Sequence, residues 1–352
     1  MSVRSEAGPR VSEDAVEFSV ADPRVGGVAL LHELRRPRRV EFTHDGGTWR
    51  LAFPRPQADR LEYLLELTHR TGRHEVTPDP QNPRRAPGAF GDKSVIEFPG
   101  YERPEWTSDE DAAAGTLRSL PLKSMRLRAT VPALLWSAAD TDPTRPLPLL
   151  VAHDGPEYAD YSSLVRLLDH LVDFGEVPEF RAALLPPPGN RNESYSASAR
   201  YANAFAADLV PAIVEQAPSD RPPVLLGASL GALAALHVHF RNPGLLGGLF
   251  LQSGSFFRRR FDGYESRFER FARITRFVGH VHGRKGFAPA LPTALTCGTA
   301  EENLDNNRAL AEALQRRGWD VRTFWHRDAH NWTAWRDSLH PHLAGLLLRA
   351  WT

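Results

Sequence analysis

The sequence predicts an α/β protein, with a doubly wound, mostly parallel sheet preceded by a small β-sandwich domain. Three observations carry that prediction. Residues 15–75 alternate apolar and polar side chains in the β manner. From about residue 116, short apolar runs alternate with helical patterns. One of those runs ends in a serine flanked by two glycines. The chain has 352 residues, 41% of them hydrophobic, which is enough for two cores. The division expected is an N-terminal domain over residues 1–100 and a larger one over residues 101–352.

The first domain is read from "VEFSVADP", "GGVALLHEL", "RRVEFTHDGGTWRLAFP" and "RLEYLLELTH". The turn Asp45-Gly46-Gly47 joins a strand ending in Phe42 to one beginning at Trp49, which is a hairpin signal. These strands form a small antiparallel sandwich. The stretch from Thr77 to Ser94, "TPDPQNPRRAPGAFGDKS", is too rich in Pro and Gly for regular structure. It reads as a connector wrapping toward the next domain.

In the second domain the buried runs are "LPLLVA" (147–152), "RAALLP" (181–186), "PVLLG" (223–227), "GLFLQSG" (248–254), "TALTCG" (293–298) and "VRTFWH" (321–326). Between them stand "YSSLVRLLDHLVDFG", "YANAFAADLVPAIVEQ", "LGALAALHVHF" and "NNRALAEALQRRG", each with helical character. Buried strands alternating with helices make a mostly parallel sheet.

Charge and cysteine content narrow the function. Lys plus Arg and Asp plus Glu both count 43, so the net charge is zero, which argues against a nucleic-acid or membrane-surface protein. A single cysteine, Cys297, excludes an internal disulfide and a thiolate zinc site. The N-terminal residues carry no apolar signal segment and no run is long enough to span a membrane, so a soluble, cytoplasmic protein is expected.

The catalytic candidates sit at strand ends. "PVLL", then Gly227-x-Ser229-x-Gly231, then "LGALAALHVHF" is the strand–turn–helix order of a nucleophile elbow, with Ser229 as nucleophile. A serine hydroxyl needs a base, and the base needs an anionic partner. After "TALTC" stand Glu301 and Glu302, with Asp305 behind them, and after "VRTFW" stands His330. The other histidines follow no suitable strand end and read as structural. For the oxyanion, the amide of Leu230 is one donor. The second comes from "HDGPEY" (153–158), where Gly155 is expected to let the backbone turn toward the site and Pro156 lacks an N–H, leaving Gly155 or Glu157, with Gly155 favoured. Tyr158 closes this loop and is a candidate substrate contact. Arg191, in "NRNESYSASARY", either fixes its loop by pairing with Glu193 or touches substrate. The segment 256–286 is rich in arginine. Phe268, Phe271, Ile274 and Val278 would pack it on the domain, and Arg258, Arg259 and Arg260 would form a solvated face or bind an anionic acyl group.

Over nearly its whole length the chain resembles the enterochelin esterases, the Fes-type branch of the esterase D-like α/β hydrolases. The segments that carry the resemblance are "SVIEFPGYERPEW", "LLVAHDGPEY", "NRNESYS…YANAFAADLVPAI", "LLGASLGALAAL", "CGTAEENLDNNRALAEAL" and "HNWTAWRDSL". It implies an α/β-hydrolase fold behind an immunoglobulin-like sandwich. It also implies a triad of Ser229, His330 and Glu301, the acid lying three residues after Gly298. The implied substrate is a small-molecule ester, first of all a siderophore ester. The loop "DGPEY" departs from the family's usual "DGQ.W" pattern. The reading requires no cofactor and no metal. Its alternatives are an esterase for acylated sugars or feruloyl groups and a non-catalytic binding protein derived from a hydrolase.

Overall fold

The computed structural model describes residues 8–108, 112–283 and 288–351. Residues 284–286 of the arginine-rich segment and the first seven of the chain lie outside it. Two compact units divide the chain. One comprises residues 1–102 with two later segments, 298–302 and 326–334. The other holds the rest.

The first unit contains two antiparallel sheets. One has four strands in the order Arg10–Val11, Ala15–Val20, Thr48–Pro54, Thr43–Asp45. The other is centred on Val25–His32, Arg60–His69 and Lys93–Glu97. Val16 and Phe18 from the first sheet share a buried cluster with Val28, Leu30, Leu61, Tyr63 and Ile96 from the second, so the sheets form a sandwich. The expected hairpin is present as a two-residue turn, with Asp45 opposite Thr48. Gly46 and Gly47 both take positive φ, 54° and 85°, the combination a twisted hairpin of this length requires.

The stretch from Thr77 to Ser94 differs from the connector expected of it. It is woven into this unit, with Arg85–Ala86 pairing Lys93–Glu97. The buried Tyr63 hydroxyl donates to Asp79 Oδ2 at 2.8 Å, and Asn82 Nδ2 donates to the same hydroxyl at 3.2 Å and to the Val95 carbonyl at 2.9 Å. Inward-facing polar side chains add to this short ladder as the ordering device, and a Pro/Gly count does not register them.

The second unit is built on an eight-stranded sheet. Its strands are β1 (Thr116–Ser124), β2 (Ala129–Ser137), β3 (Leu149–His153), β4 (Arg181–Leu185), β5 (Val224–Ala228), β6 (Gly248–Gln252), β7 (Thr293–Gly298) and β8 (Val321–His326). Their order is β1-β2-β4-β3-β5-β6-β7-β8, the α/β-hydrolase arrangement. β1, β2 and β4 pair antiparallel, and β4, β3, β5, β6 and β7 run parallel. Every residue of β3 to β6 is buried, as expected of strands covered on both faces.

Two expected helices are broken. "YSSLVRLLDHLVDFG" divides at Ser163, which takes φ 51°, into α1 (Gly155–Ser162) and α2 (Leu164–Asp173). "YANAFAADLVPAIVEQ" widens into a π turn over Phe205–Leu209 just before Pro211, whose missing N–H interrupts the regular ladder. Among the described residues no helix is long and apolar enough to cross a membrane.

Candidate active site

β5 delivers Ser229 into a sharp turn, with φ 55° and ψ −120°, before α3 (Leu230–Arg241) begins. A serine in that conformation is strained, and the surroundings hold it there. Its N–H donates to the Gln252 carbonyl at 2.9 Å, and its own carbonyl accepts from Leu233 and Ser255. A Cβ on Gly227 would stand 2.5 Å from the carbonyl carbon of Gly231 and 2.6 Å from its oxygen, so strand and helix meet too closely there for any side chain. The Ser229 hydroxyl remains partly exposed and lies 3.1 Å from that of Ser255. The Leu230 amide is the first of α3, where an N–H has no acceptor within its own helix.

The loop after β3 is held by buried polar groups. His153 is fully buried against α3. A carbonyl only accepts, so His153 Nδ1 carries the proton and donates to the Gly231 carbonyl at 3.0 Å, while Nε2 accepts from the Tyr201 hydroxyl at 2.8 Å. Burial lowers the pKa of His153 to about 4, so the ring is neutral near pH 7. Asp154, 2% exposed, receives a two-pronged bond from Arg191, Nε to Oδ1 at 2.8 Å and Nη2 to Oδ2 at 2.7 Å.

Three expectations for this rim change. The positive φ belongs to Asp154 (51°), and Gly155 is required instead because a Cβ there would lie 2.4 Å from the Leu184 Cα. Arg191 pairs with Asp154, whereas Glu193 is bonded to Arg270 and Arg273. Tyr158, expected to face substrate, is wholly buried because α1 turns its third residue after Gly155 into the core. There its hydroxyl donates to Gln252 Oε1 at 2.6 Å.

Beyond β6 a network appears that the sequence did not signal. Gln252 is fully buried, and its Nε2 donates to the Trp335 carbonyl at 3.0 Å and to Ser338 Oγ at 2.9 Å. Trp335 Nε1 in turn donates to Ser253 Oγ at 3.1 Å. Asn307 clasps Gly254 through both its amide groups. Three residues past Ser255 begins a cleft of about 470 Å³, lined by Arg258, Arg259, Arg260, Thr275 and Arg276. The Arg258 amide donates to Asp262 Oδ2 at 2.6 Å. Phe271, Ile274 and Val278 of α4 (Phe271–His282) are buried, as their spacing predicts.

The acid and histidine candidates lie in segments that cluster with the first unit. His330 Nδ1 meets Glu301 Oε2 at 2.7 Å, and the other oxygen of that carboxylate accepts from the Gly298 amide at 2.6 Å. Glu301 is 1% exposed. Glu302 is turned away to Arg36 and Arg38, and Asp305 is exposed. The two loops are stitched together, Thr299 N–H to the His326 carbonyl at 2.7 Å and Ala300 N–H to the Asp328 carbonyl at 3.1 Å. Asp328 Oδ1 accepts from the Ala329 amide at 2.7 Å and from Asn331 at 3.2 Å, and its other oxygen faces the buried Arg60 at 3.5 Å. The Arg35 amide donates to the Ala300 carbonyl and the Asp59 amide to the Arg327 carbonyl. Ala300 and Ala329 belong to the sandwich core. Of the histidines in the elbow helix, His237 packs on Phe277, and His239 bonds to the Pro289 carbonyl.

Known proteins share both the sequence pattern and the architecture. A family described as "Putative esterase" matches residues 125–346. Comparison with curated proteins gave no match. Among solved structures, an enterochelin esterase from Shigella flexneri is 19% identical with a TM-score of 0.76, covering 99% of this chain and 97% of that one. A ferric enterobactin esterase from Salmonella typhimurium is 20% identical with a TM-score of 0.76, covering 99% and 97%. A ferulic acid esterase is 17% identical with a TM-score of 0.56, covering 67% of this chain and 98% of that one. The structural likenesses extend the fold assignment to the whole chain, and the sequence match spans well over half of it. The chain therefore belongs to the putative esterase family and is a carboxylic ester hydrolase of the α/β-hydrolase fold.

Proposed function

We propose that this protein is a serine esterase using Ser229, His330 and Glu301, and that its substrate is a siderophore ester. Ser229 Oγ attacks the ester carbonyl while His330 Nε2 takes its proton. Glu301 holds the imidazole through Nδ1 and balances the charge it gains. The amides of Leu230 and Gly155 receive the oxyanion. His330 returns the proton to the departing alcohol, and a water activated by the same ring hydrolyses the acyl-enzyme.

The observation that carries this reading is the 2.7 Å contact between His330 Nδ1 and a nearly fully buried Glu301. The strained elbow at Ser229 supports it. The arginine-lined cleft that opens at Arg258 suits an anionic acyl portion such as a catecholate. Support for the substrate comes from the Shigella flexneri esterase, whose structures were determined in the presence of enterobactin and of 2,3-dihydroxy-N-benzoyl-serine. The ferulic acid esterase likeness favours a second reading, a feruloyl ester.

The test is a fluorophosphonate probe on wild type and Ser229→Ala, followed by hydrolysis of enterobactin, with and without iron(III), beside methyl ferulate. Labelling of wild type alone, with enterobactin turned over faster, is expected. Equal labelling of both proteins overturns the nucleophile, and turnover of methyl ferulate alone overturns the siderophore.

A further inference from the structure

Three side chains far along the chain from the elbow converge on one another. His170 lies in the last turn of α2, Glu176 stands three residues past the end of that helix, and His340 precedes the C-terminal helix His342–Trp351. Glu176 Oε1 is 3.1 Å from His170 Nε2, and Oε2 is 2.8 Å from His340 Nε2. The potential ligand atoms all lie within 4.8 Å of one another.

We propose that these residues form a binding site for a divalent transition-metal ion of the zinc class. The donor set, two imidazole nitrogens and one carboxylate, is the one zinc takes with three protein ligands, at bond lengths of about 2.0–2.2 Å. Tetrahedral bonds of that length separate neighbouring ligand atoms by about 3.4 Å. The two carboxylate–imidazole separations, 3.1 Å and 2.8 Å, are each to a different Glu176 oxygen; binding would rotate the carboxylate and the rings so that one oxygen and both nitrogens, whose atoms already lie within 4.8 Å of one another, close to that spacing. A carboxylate oxygen only accepts, so each Nε2 donates in the contacts described; to ligate, each ring must free its Nε2 lone pair and carry its remaining proton on Nδ1. The three side chains are 15–33% exposed, which leaves water to fill the fourth position.

Packing restricts the rings beforehand. His170 lies 4.7 Å from the Phe174 ring, and the two imidazoles stand 5.8 Å apart at 86°. A preordered trio loses less freedom on binding than three free side chains. Glu176 belongs to the connection entering β4, whose N-terminal end is remote from the loops that carry Ser229 and Gly155 at the C-terminal ends of their strands. The ion would therefore clip α2 to the start of the last helix and take no part in ester chemistry.

The test uses the full chain after EDTA treatment. Equilibrium dialysis against zinc chloride with metal quantitation is run on wild type and on His170→Asn/His340→Asn, with circular dichroism confirming that the variant is folded. Wild type is expected to hold one zinc per chain more than the variant and to gain thermal stability with zinc where the variant does not. Glu176→Gln weakens that zinc at least about 100-fold, at or beyond the upper end of the effect of losing a group that merely supports a ligand. Equal zinc content in wild type and double variant, or no zinc-dependent rise in Tm, overturns the proposal. Should the double variant not fold, Glu176→Gln alone decides it by the same readouts.

Discussion

Replacing Arg60 by methionine keeps the length of the side chain and removes its charge. Arg60 is 3% exposed and lies 3.1 Å from Glu62 and 3.5 Å from Asp328, both of them buried. Removing one member of such a buried group costs about 3–5 kcal/mol, because the remaining charge keeps its desolvation penalty. Here the lower end applies, for two reasons. Burial pushes the Glu62 carboxyl up to about 7, so without the guanidinium it takes a proton and stops being a charge. Asp328 keeps its bonds to Ala329 and Asn331. About 3 kcal/mol of the first unit's stability should be lost, read as a lower urea midpoint at pH 7. Because Asp328 shapes the loop that holds His330, kcat on an activated ester should fall as well, with KM little changed. Adding Asp328→Asn to Arg60→Met removes the orphaned charge and should restore part of the stability, so that the two losses are not additive. An Arg60→Met protein as stable as wild type, or strictly additive losses, would refute the reasoning.

Two further outcomes follow from the same geometry. Glu301→Gln preserves shape but replaces the carboxylate that faces His330 Nδ1, so kcat should drop by roughly 10³–10⁴. Glu302→Gln, which loosens only the contacts to Arg36 and Arg38, should leave kcat within a few-fold of wild type, and a larger loss at Glu302 would reverse the assignment of the acid. His153 should make the fold acid-sensitive. Its folded pKa of about 4 is below the ordinary 6.5, so the unfolded state takes up the proton first. Stability is intact above pH 6.5 and is lost as pH falls from there toward 4, by about 3 kcal/mol in all. Urea midpoints at pH 7 and pH 4.5 for wild type and His153→Gln check this, since the variant should lose less on acidification.

β3 to β7 were legible because they are buried on both faces and so appear as unbroken apolar runs, whereas β1 and β2, which mix buried and exposed residues, gave no such run and were not among the strands expected. The elbow was legible because a strand, two glycines and a helix occur in immediate succession. The base candidate His330 and the pair Glu301 and Glu302 could be located by their places after β8 and β7, the choice of Glu301 coming from the family resemblance alone. Illegible were the partners chosen across the fold. Asp154 selects Arg191 from 37 residues away, Glu193 selects Arg273 from 80, and the hydroxyl of Tyr158 reaches Gln252 from 94. Such pairings depend on which side chain a distant backbone turns inward, and no local period records that. The break at Ser163 escaped notice for a related reason, since a serine with positive φ is set by packing on either side of it and not by its own propensity.

The make-up of the first unit bears on how the protein is made. Its strands leave the ribosome early, yet Ala300 and Ala329 of its core, with the loops that carry Glu301 and His330, are translated roughly 200 residues or more after residue 102. At about 5–20 residues per second that is a wait on the order of 10–40 s, during which part of an apolar core stands uncovered. A chain that stalls before residue 326 would hold the elbow serine but have made neither the histidine nor the last part of this core.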